Sequence, residues 1–271
     1  MQRSSRHKVI IRAIGHQPVS VEALSELTGA SGVTIRRDLA DLEGRGLLRR
    51  IHGGAVRVHQ RGTPMPHHVR AAEEHDLKAA IARVAAALVE PDQSIILDNG
   101  TTTVAVAHEL RGRPLTALCL SLHTAVVLGT DPACQVVTPG GPLLPDTLAA
   151  GAAASIDAIR NVRADLAFIG ACAASPTHGL TTTTWEDARI KREMRAAANR
   201  VVLLATGTKL TRTSSFRFAD LDDLDDLVTT PDAPAALLDG FRAAGVAVHI
   251  ADPTVDAGAP RPHPDQPTGQ G

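Results

Sequence analysis

The chain holds 271 residues, enough for one or two domains, and 44% of them are hydrophobic, the ordinary share for a globular protein with a sizeable core. Aromatic residues make up only 2%, with no Tyr, which argues against a base-stacking surface for single strands and leaves duplex recognition open. The net charge of −1 hides a division: residues 1–61 carry eleven Lys/Arg against five Asp/Glu, hence +6, which leaves −7 on the rest, so a basic head suited to phosphate precedes an acidic body.

The first predicted element is a helix over about 4–15, with Val9, Ile10, Ile11 and Ile14 as its apolar stripe and Gly15 and Pro18 as its stop. Ser20 caps a second helix, with Ala23, Leu24 and Leu27 inward, and Thr28-Gly29-Ala30 forms a tight turn. Ser31 caps a third helix, SGVTIRRDLADLEGRG, which ends at Gly44 or Gly46. LLRRIHGGAVRV then reads as two short strands around a Gly-Gly turn. A helix, a glycine turn and a second helix form the helix-turn-helix arrangement, whose second helix enters the major groove.

At about 100° per residue, Ile35, Leu39 and Leu42 of the third helix share a buried face. Val33, Thr34 and Arg37 point the other way, with Arg36 on the flank. Arg can grip guanine O6 and N7 with two hydrogen bonds, and Val or a Thr methyl can touch a thymine methyl. Ser31 and the helix N-terminus can hold a phosphate. Arg49, Arg50, His52 and Arg57 make the ribbon a basic wing able to follow the DNA backbone or reach the minor groove. The competing reading is a packing module with solvated arginines. The ordered occurrence of turn, cap, arginine pair and wing favours double-stranded DNA.

Residues 59–72, HQRGTPMPHHVRAA, read as a polar linker between a head at 1–58 and a body at 73–251. In the body, strands are expected at 95–98, 115–121, 134–138, 164–170, 200–205, 225–229 and 246–250. Helices are expected near 74–89, 102–111, 122–129, 147–161, 186–198 and 233–244. The alternation predicts an α/β fold with a mostly parallel sheet. The tail 252–271, rich in Pro, Gly and Asp, is expected to be disordered. No uninterrupted apolar stretch reaches the roughly 18 residues of a membrane span. The N-terminal segment lacks the features of a signal peptide. Cys119, Cys134 and Cys172 are expected as buried free thiols in a reducing cytoplasm. No metal or cofactor is expected.

The segment ILDNGTTTVAVAHEL, 96–110, runs from a strand through Asp98 into a Gly-Thr-Thr turn and a helix. Gly100 lets backbone N–H groups approach an anion, the helix adds its positive end, and Thr101, Thr102 and Thr103 add hydroxyls. Capping alone would also account for such a turn. Similar turns follow other strands: Thr138-Pro139-Gly140-Gly141, Gly170-Ala171-Cys172, Gly179-Leu180-Thr181-Thr182 and Ala205-Thr206-Gly207-Thr208-Lys209. In an open parallel sheet such loops converge on one edge, where ligands bind. Lys209 offers a point charge for phosphate. Asp187 and Lys191 share a helix face, either as a surface pair worth about 0.2–0.5 kcal/mol or as pocket residues.

Val33-Thr34-Ile35-Arg36-Arg37-Asp38-Leu39 and the turn His52-Gly53-Gly54-Ala55 resemble the signature of the DeoR family of bacterial transcription regulators. The resemblance runs to about residue 250. It implies an N-terminal winged helix-turn-helix and a C-terminal sensor domain similar in fold to ribose-5-phosphate isomerase, which binds a phosphorylated sugar or sugar derivative. Asp98, Gly100, Thr101 and Thr102 match the family's Asp-x-Gly-Thr-Thr loop, and Gly140, Gly141, Gly170, Lys191 and Lys209 match as well. The chain departs at Asp187, where Glu is usual, at Thr206, where an Asp precedes the lysine, and at Cys119-Leu120, where Thr-Asn is common. The charge division and the loop set motivate the expectation of a homo-oligomer on repeated or inverted half-sites, and the resemblance implies repression relieved by ligand. An aldose–ketose isomerase, with Asp98 or Asp187 as base and Lys209 as stabiliser, is the enzyme alternative, weakened by the missing acid at 206. A body that serves only to oligomerise is the third reading.

Overall fold

The computed structural model describes residues 2–14, 19–44, 47–57 and 65–254. The expected helix stops at Gly15, Pro18 and Gly46, residues 58–64, the tail from residue 255, and the side chains of Arg49 and Arg57 lie outside the described residues.

In the head, α1 (Arg3–Ala13), α2 (Val21–Thr28) and α3 (Gly32–Gly44) pack over a small antiparallel sheet of β1 (Val19–Ser20), β3 (Gly54–Arg57) and β2 (Leu48–Ile51), in the order β1-β3-β2. Ile10, Ile14, Leu24, Ile35, Leu39 and Leu42 form its core. The Ser20 hydroxyl caps α2 by accepting from the Ala23 N–H at 3.1 Å. Because α2 begins at Val21, its buried stripe is Val21 and Leu24, while Ala23 and Leu27, expected inward, are exposed. The Gly-Gly turn has a steric reason. Gly53 sits at φ +75, and a Cβ on Gly54 would lie 2.2 Å from the Val19 carbonyl oxygen, against which β1 pairs.

Asp38 on α3 is 2% exposed and accepts from Arg6 Nε at 2.5 Å, with His7 Nε2 at 2.9 Å from it. Burial alone would raise its pKa. The hydrogen bonds from Arg6 and His7 outweigh this and hold it below the usual carboxylate range. This clamp fixes α3 against α1.

Residues 67–72, expected within a linker, form helix α4 (His67–Ala72). Pro66 is its N-cap, and the Asp146 carboxylate accepts the His67 N–H at 2.8 and 3.0 Å. The His67 ring stacks on His123 at 4.3 Å. Burial, then the neighbouring His123, push the His67 pKa down to about 4, so the stacked ring is neutral at neutral pH. Val69 of the same helix is part of the head's core. Helix α4 is thus held by the body at one residue and by the head at another.

The body alternates α5 (His75–Ala86), β4 (Ser94–Leu97), α6 (Thr101–Glu109), β5 (Leu115–Cys119), α7 (Leu122–Gly129), β6 (Cys134–Val137), α8 (Ala152–Arg160) and β7 (Ala164–Gly170). After β8 (Ala173–Ser175) and β9 (Gly179–Thr182) come α9 (Trp185–Ala197), β10 (Ala198–Leu204), α10 (Gly207–Leu210), β11 (Phe216–Ala219), β12 (Asp226–Thr229), α11 (Ala235–Ala243) and β13 (Ala247–Ile250). Seven strands form one parallel sheet ordered β13-β12-β10-β7-β4-β5-β6. Alternate side chains feed two cores. Ile96, Ala167, Ile169 and Leu203 pack on one face, and Ile95, Leu97, Phe168 and Val202 on the other.

Helix α8 starts at Ala152 rather than 147, because Ala149 and Ala150 make β-bridges to Ser121 and Leu143. A separate antiparallel sheet, β11-β9-β8, was not anticipated. Among the thiols, Cys119 is fully buried and burial pushes its pKa up to about 12, while Cys134 and Cys172 are only half-buried. No helix among the described residues is long and apolar enough to cross a membrane.

Candidate functional site

Two surfaces concern function. On the head, α3 turns Ile35, Asp38, Leu39 and Leu42 inward. Ser31, Val33, Arg36 and Arg37 are exposed, Val33 by 74%, and Thr34 is half-buried. The Ser31 hydroxyl accepts from the Thr34 N–H at 3.3 Å and lies 2.9 Å from the Thr34 hydroxyl. An uncovered valine beside two arginines in the first turns of a helix presents the contact types that read base edges. On the wing, His52 is exposed, whereas Arg50 is engaged by Glu43, which accepts from its N–H at 2.8 Å and its Nε at 2.7 Å. Arg49 is a backbone position of β2 whose side chain lies outside the described residues.

In the body the strand order reverses between β4 and β7, which makes the crevice beyond their C-terminal ends a topological switch point. Asp98 follows β4, Gly170 ends β7, and the 205–209 loop follows β10. The Asp98 carboxylate accepts from the Asn99 N–H at 2.8 Å, from the Gly170 N–H at 2.9 Å and from the Lys191 ammonium. Asp98 is 1% exposed and Lys191 3%. Asp187 lies 3.4 Å from the Lys191 ammonium and also accepts from the Thr182 hydroxyl. Burial alone would lower the Lys191 pKa, but Asp187 and Asp98 together raise it well above its usual value. The surface-pair reading of Asp187 and Lys191 therefore does not hold, since the lysine lies inside the protein.

A cavity of about 820 Å³ opens at the same edge of the sheet, but Asp98, Gly170, Asp187 and Lys191 are not part of its wall. Of the residues singled out from sequence, Thr101 and Lys209 line it, together with Ala171, Cys172 and Thr208 from the turns named beside them. Gly100 is the N-cap of α6, and Thr102 is buried behind Thr101. Gly140 and Gly141 lie on an exposed loop after β6 and are not part of the cavity wall. Cys119 and Leu120 sit in the cores, so that departure from the family pattern leaves the cavity unchanged.

The wall also carries groups the sequence did not point to: Arg12 of α1, Arg70, Glu74 and Lys78 of the α4–α5 region, and Arg212 beyond β10. Burial lowers the Lys209 pKa, nearby Arg70 and Lys191 lower it further, and Cys172 and Glu74 oppose them. Burial and then Lys209 push Lys78 down to about 8. Lys78 donates to the carbonyls of Arg70 and of Glu73, the latter at 2.6 Å. One signal for this group was present: Lys78 falls on the same face of α5 as Ile81, Ala82 and Ala85, an apolar face where a lysine is out of place. Crowded, partly desolvated cations facing one space are what an anionic ligand relieves.

Residues 6–61 match the DeoR-like helix-turn-helix domain family, and residues 73–230 match the DeoR C terminal sensor domain family. The chain is similar to the HTH-type transcriptional regulator GolR of Listeria innocua, 32% identical over 91% of this chain and 98% of that one. It is also similar to the HTH-type transcriptional repressor GlcR of Bacillus subtilis, 32% identical over 79% and 83% of the two chains. The ribose 5-phosphate isomerase of Methanocaldococcus jannaschii aligns at a TM-score of 0.38 and 20% identity, over 51% of this chain and 55% of that one, too slight a likeness to bear on the activity. With both of its parts matched in order along most of its length, the chain belongs to the DeoR family of transcriptional regulators.

Proposed function

We propose that the protein acts in the cytoplasm as a homo-oligomer that binds operator half-sites through α3 and the wing, and that a phosphorylated sugar or sugar derivative in the body's cavity changes this binding. The observation that carries the effector is the clustering of Lys78, Lys209 and Arg70 on a cavity at the switch point of the sheet. Thr101, at the N-terminus of α6, adds a helix end with backbone N–H groups. Arg36, Arg37, Val33 and Thr34 supply base contacts, and Ser31, Arg49, Arg50 and His52 supply contacts to the phosphate backbone. The sign is repression, as in the relative named a repressor.

The cavity serves sensing rather than turnover. An isomerase needs a carboxylate free to take a proton from carbon. Asp98 is locked to Lys191, Asp187 is held by Thr182 and Lys191, and Glu74 on the cavity wall is engaged by the Thr206 and Thr208 hydroxyls. The ligand shifts DNA affinity by a coupling free energy of about 1–3 kcal/mol. A thermal-shift screen of sugar phosphates, each hit repeated in a gel-shift assay, tests the reading. A compound that stabilises the protein and moves it on or off DNA supports it. Stabilisation together with isomerised product would return the enzyme reading.

A further inference from the structure

We propose that Glu74 is a built-in occupant of the effector's phosphate subsite, and that an incoming phosphate displaces it and so releases the α4–α5 elbow that carries the head. The proposal rests on the reading of the cavity as a phosphate site. The Glu74 carboxylate accepts from the Thr206 hydroxyl at 2.8 Å and from the Thr208 hydroxyl at 2.9 Å. Thr206 is the N-cap of α10 and Thr208 lies on its single turn beside Lys209, and Arg212 faces the same carboxylate. An anion held by Lys209 requires these same donors, so the carboxylate and a phosphate exclude each other. Thr206 makes the contact possible, because an aspartate there, the residue usual in the family, would set a second negative charge against Glu74.

The position of Glu74 in the chain turns this competition into a signal. It stands between α4 and α5, at φ 51, a left-handed conformation that is strained for a residue with a side chain. Its carbonyl accepts the Lys78 N–H at 2.9 Å and starts α5, while the Lys78 ammonium ties down the carbonyls of Arg70 and Glu73. Val69, one turn before the elbow, is embedded in the head's core. Removing the carboxylate from the threonines lets the strained elbow relax and shifts α4 together with the head. A phosphate prevails at sufficient concentration because it brings more charge and more acceptor oxygens than one carboxylate.

Inorganic phosphate titrated calorimetrically into the full-length protein tests this. Glu74→Gln and Glu74→Ala are expected to bind phosphate at least about tenfold more tightly than wild type. In wild type, saturating phosphate is expected to speed amide hydrogen exchange across residues 67–78, and Glu74→Ala should show that faster exchange without phosphate. Equal or weaker phosphate binding by both variants overturns the latch while leaving the cavity reading intact. Unchanged exchange at 67–78 in saturated wild type overturns it too, and needs no variant to fold. If neither phosphate nor any sugar phosphate binds wild type or variants, the cavity reading falls and the latch falls with it.

Discussion

Replacing Lys191 by methionine removes one half of an ion pair that water does not reach. Asp98 is 1% exposed, and without the ammonium it keeps only the N–H groups of Asn99 and Gly170, at 2.8 and 2.9 Å. Breaking a buried pair by removing one partner costs about 3–5 kcal/mol, because the remaining charge is left uncompensated. For a protein of this size each kcal/mol moves the melting temperature by about 2–4 °C, so a loss of roughly 6–20 °C is expected. The single tryptophan, Trp185, opens α9 in the body, with Arg192 5.2 Å from its ring, so urea unfolding followed by its fluorescence reads the body alone. The double variant Asp98→Asn/Lys191→Met removes both charges and should return to within about 1–2 kcal/mol of wild type. The reasoning is refuted if Lys191→Met loses less than about 1 kcal/mol, the range of an exposed pair. It is equally refuted if the double variant is no more stable than the single one.

Lys78 sets a pH dependence. Its folded pKa of about 8 lies below the ordinary value of 10.5, so between these limits the unfolded lysine holds more proton than the folded one and its contribution to stability rises with pH. That contribution is at most about 3 kcal/mol, and Lys78→Met should lose it when urea midpoints are compared on either side of that window, leaving the part that the likewise lowered Lys209 supplies. In the head, Asp38→Asn should cost about 3 kcal/mol of head stability and abolish operator binding while the Trp185 transition of the body stays in place. Because the Asp38 pKa is lowered, its contribution is present above 3.8 and lost as pH falls below that value, which amide exchange in α3 would register. Arg37→Ala should weaken operator binding by about 1–3 kcal/mol and relax preference at one base position. An unchanged binding-site selection profile would remove Arg37 from base reading.

Much of the architecture was legible because it is written in short-range pattern. The central strands of the parallel sheet are brief runs rich in Val, Ile, Leu and Ala, buried on both faces, and Ile35, Leu39 and Leu42 repeat at helical spacing. What escaped depends on partners distant in the chain. Strand β11 pairs with β9 about 35 residues earlier through the plain segments FRFA and GLTT, neither of which announces a strand alone. Asp38 sits in a charged run that looks solvated, and its clamp comes from Arg6 and His7 on another helix. The two-residue strand β1 exists only because Gly54 lets the wing approach it.

The site divides in the same way. Lys209 and Thr101 could be named because strand-to-helix loops converge at one edge of such a sheet. Gly140 and Gly141 have the same local grammar, yet β6 is an edge strand, with β5 between it and the switch-point strand β4. Glu74 belongs to no motif. Its meaning comes from Thr206 and Thr208, more than 130 residues away.

The most direct test of the division between a DNA-binding head and an anion-sensing body is one comparison. Operator affinity of wild type and of Lys209→Ala is measured with and without pentose and hexose phosphates. The account predicts that at least one sugar phosphate changes wild-type affinity by roughly 5–150-fold, and that Lys209→Ala binds the same DNA equally well but ignores the compound. Wild type and variant responding alike, or wild type responding to none of the compounds, would contradict it.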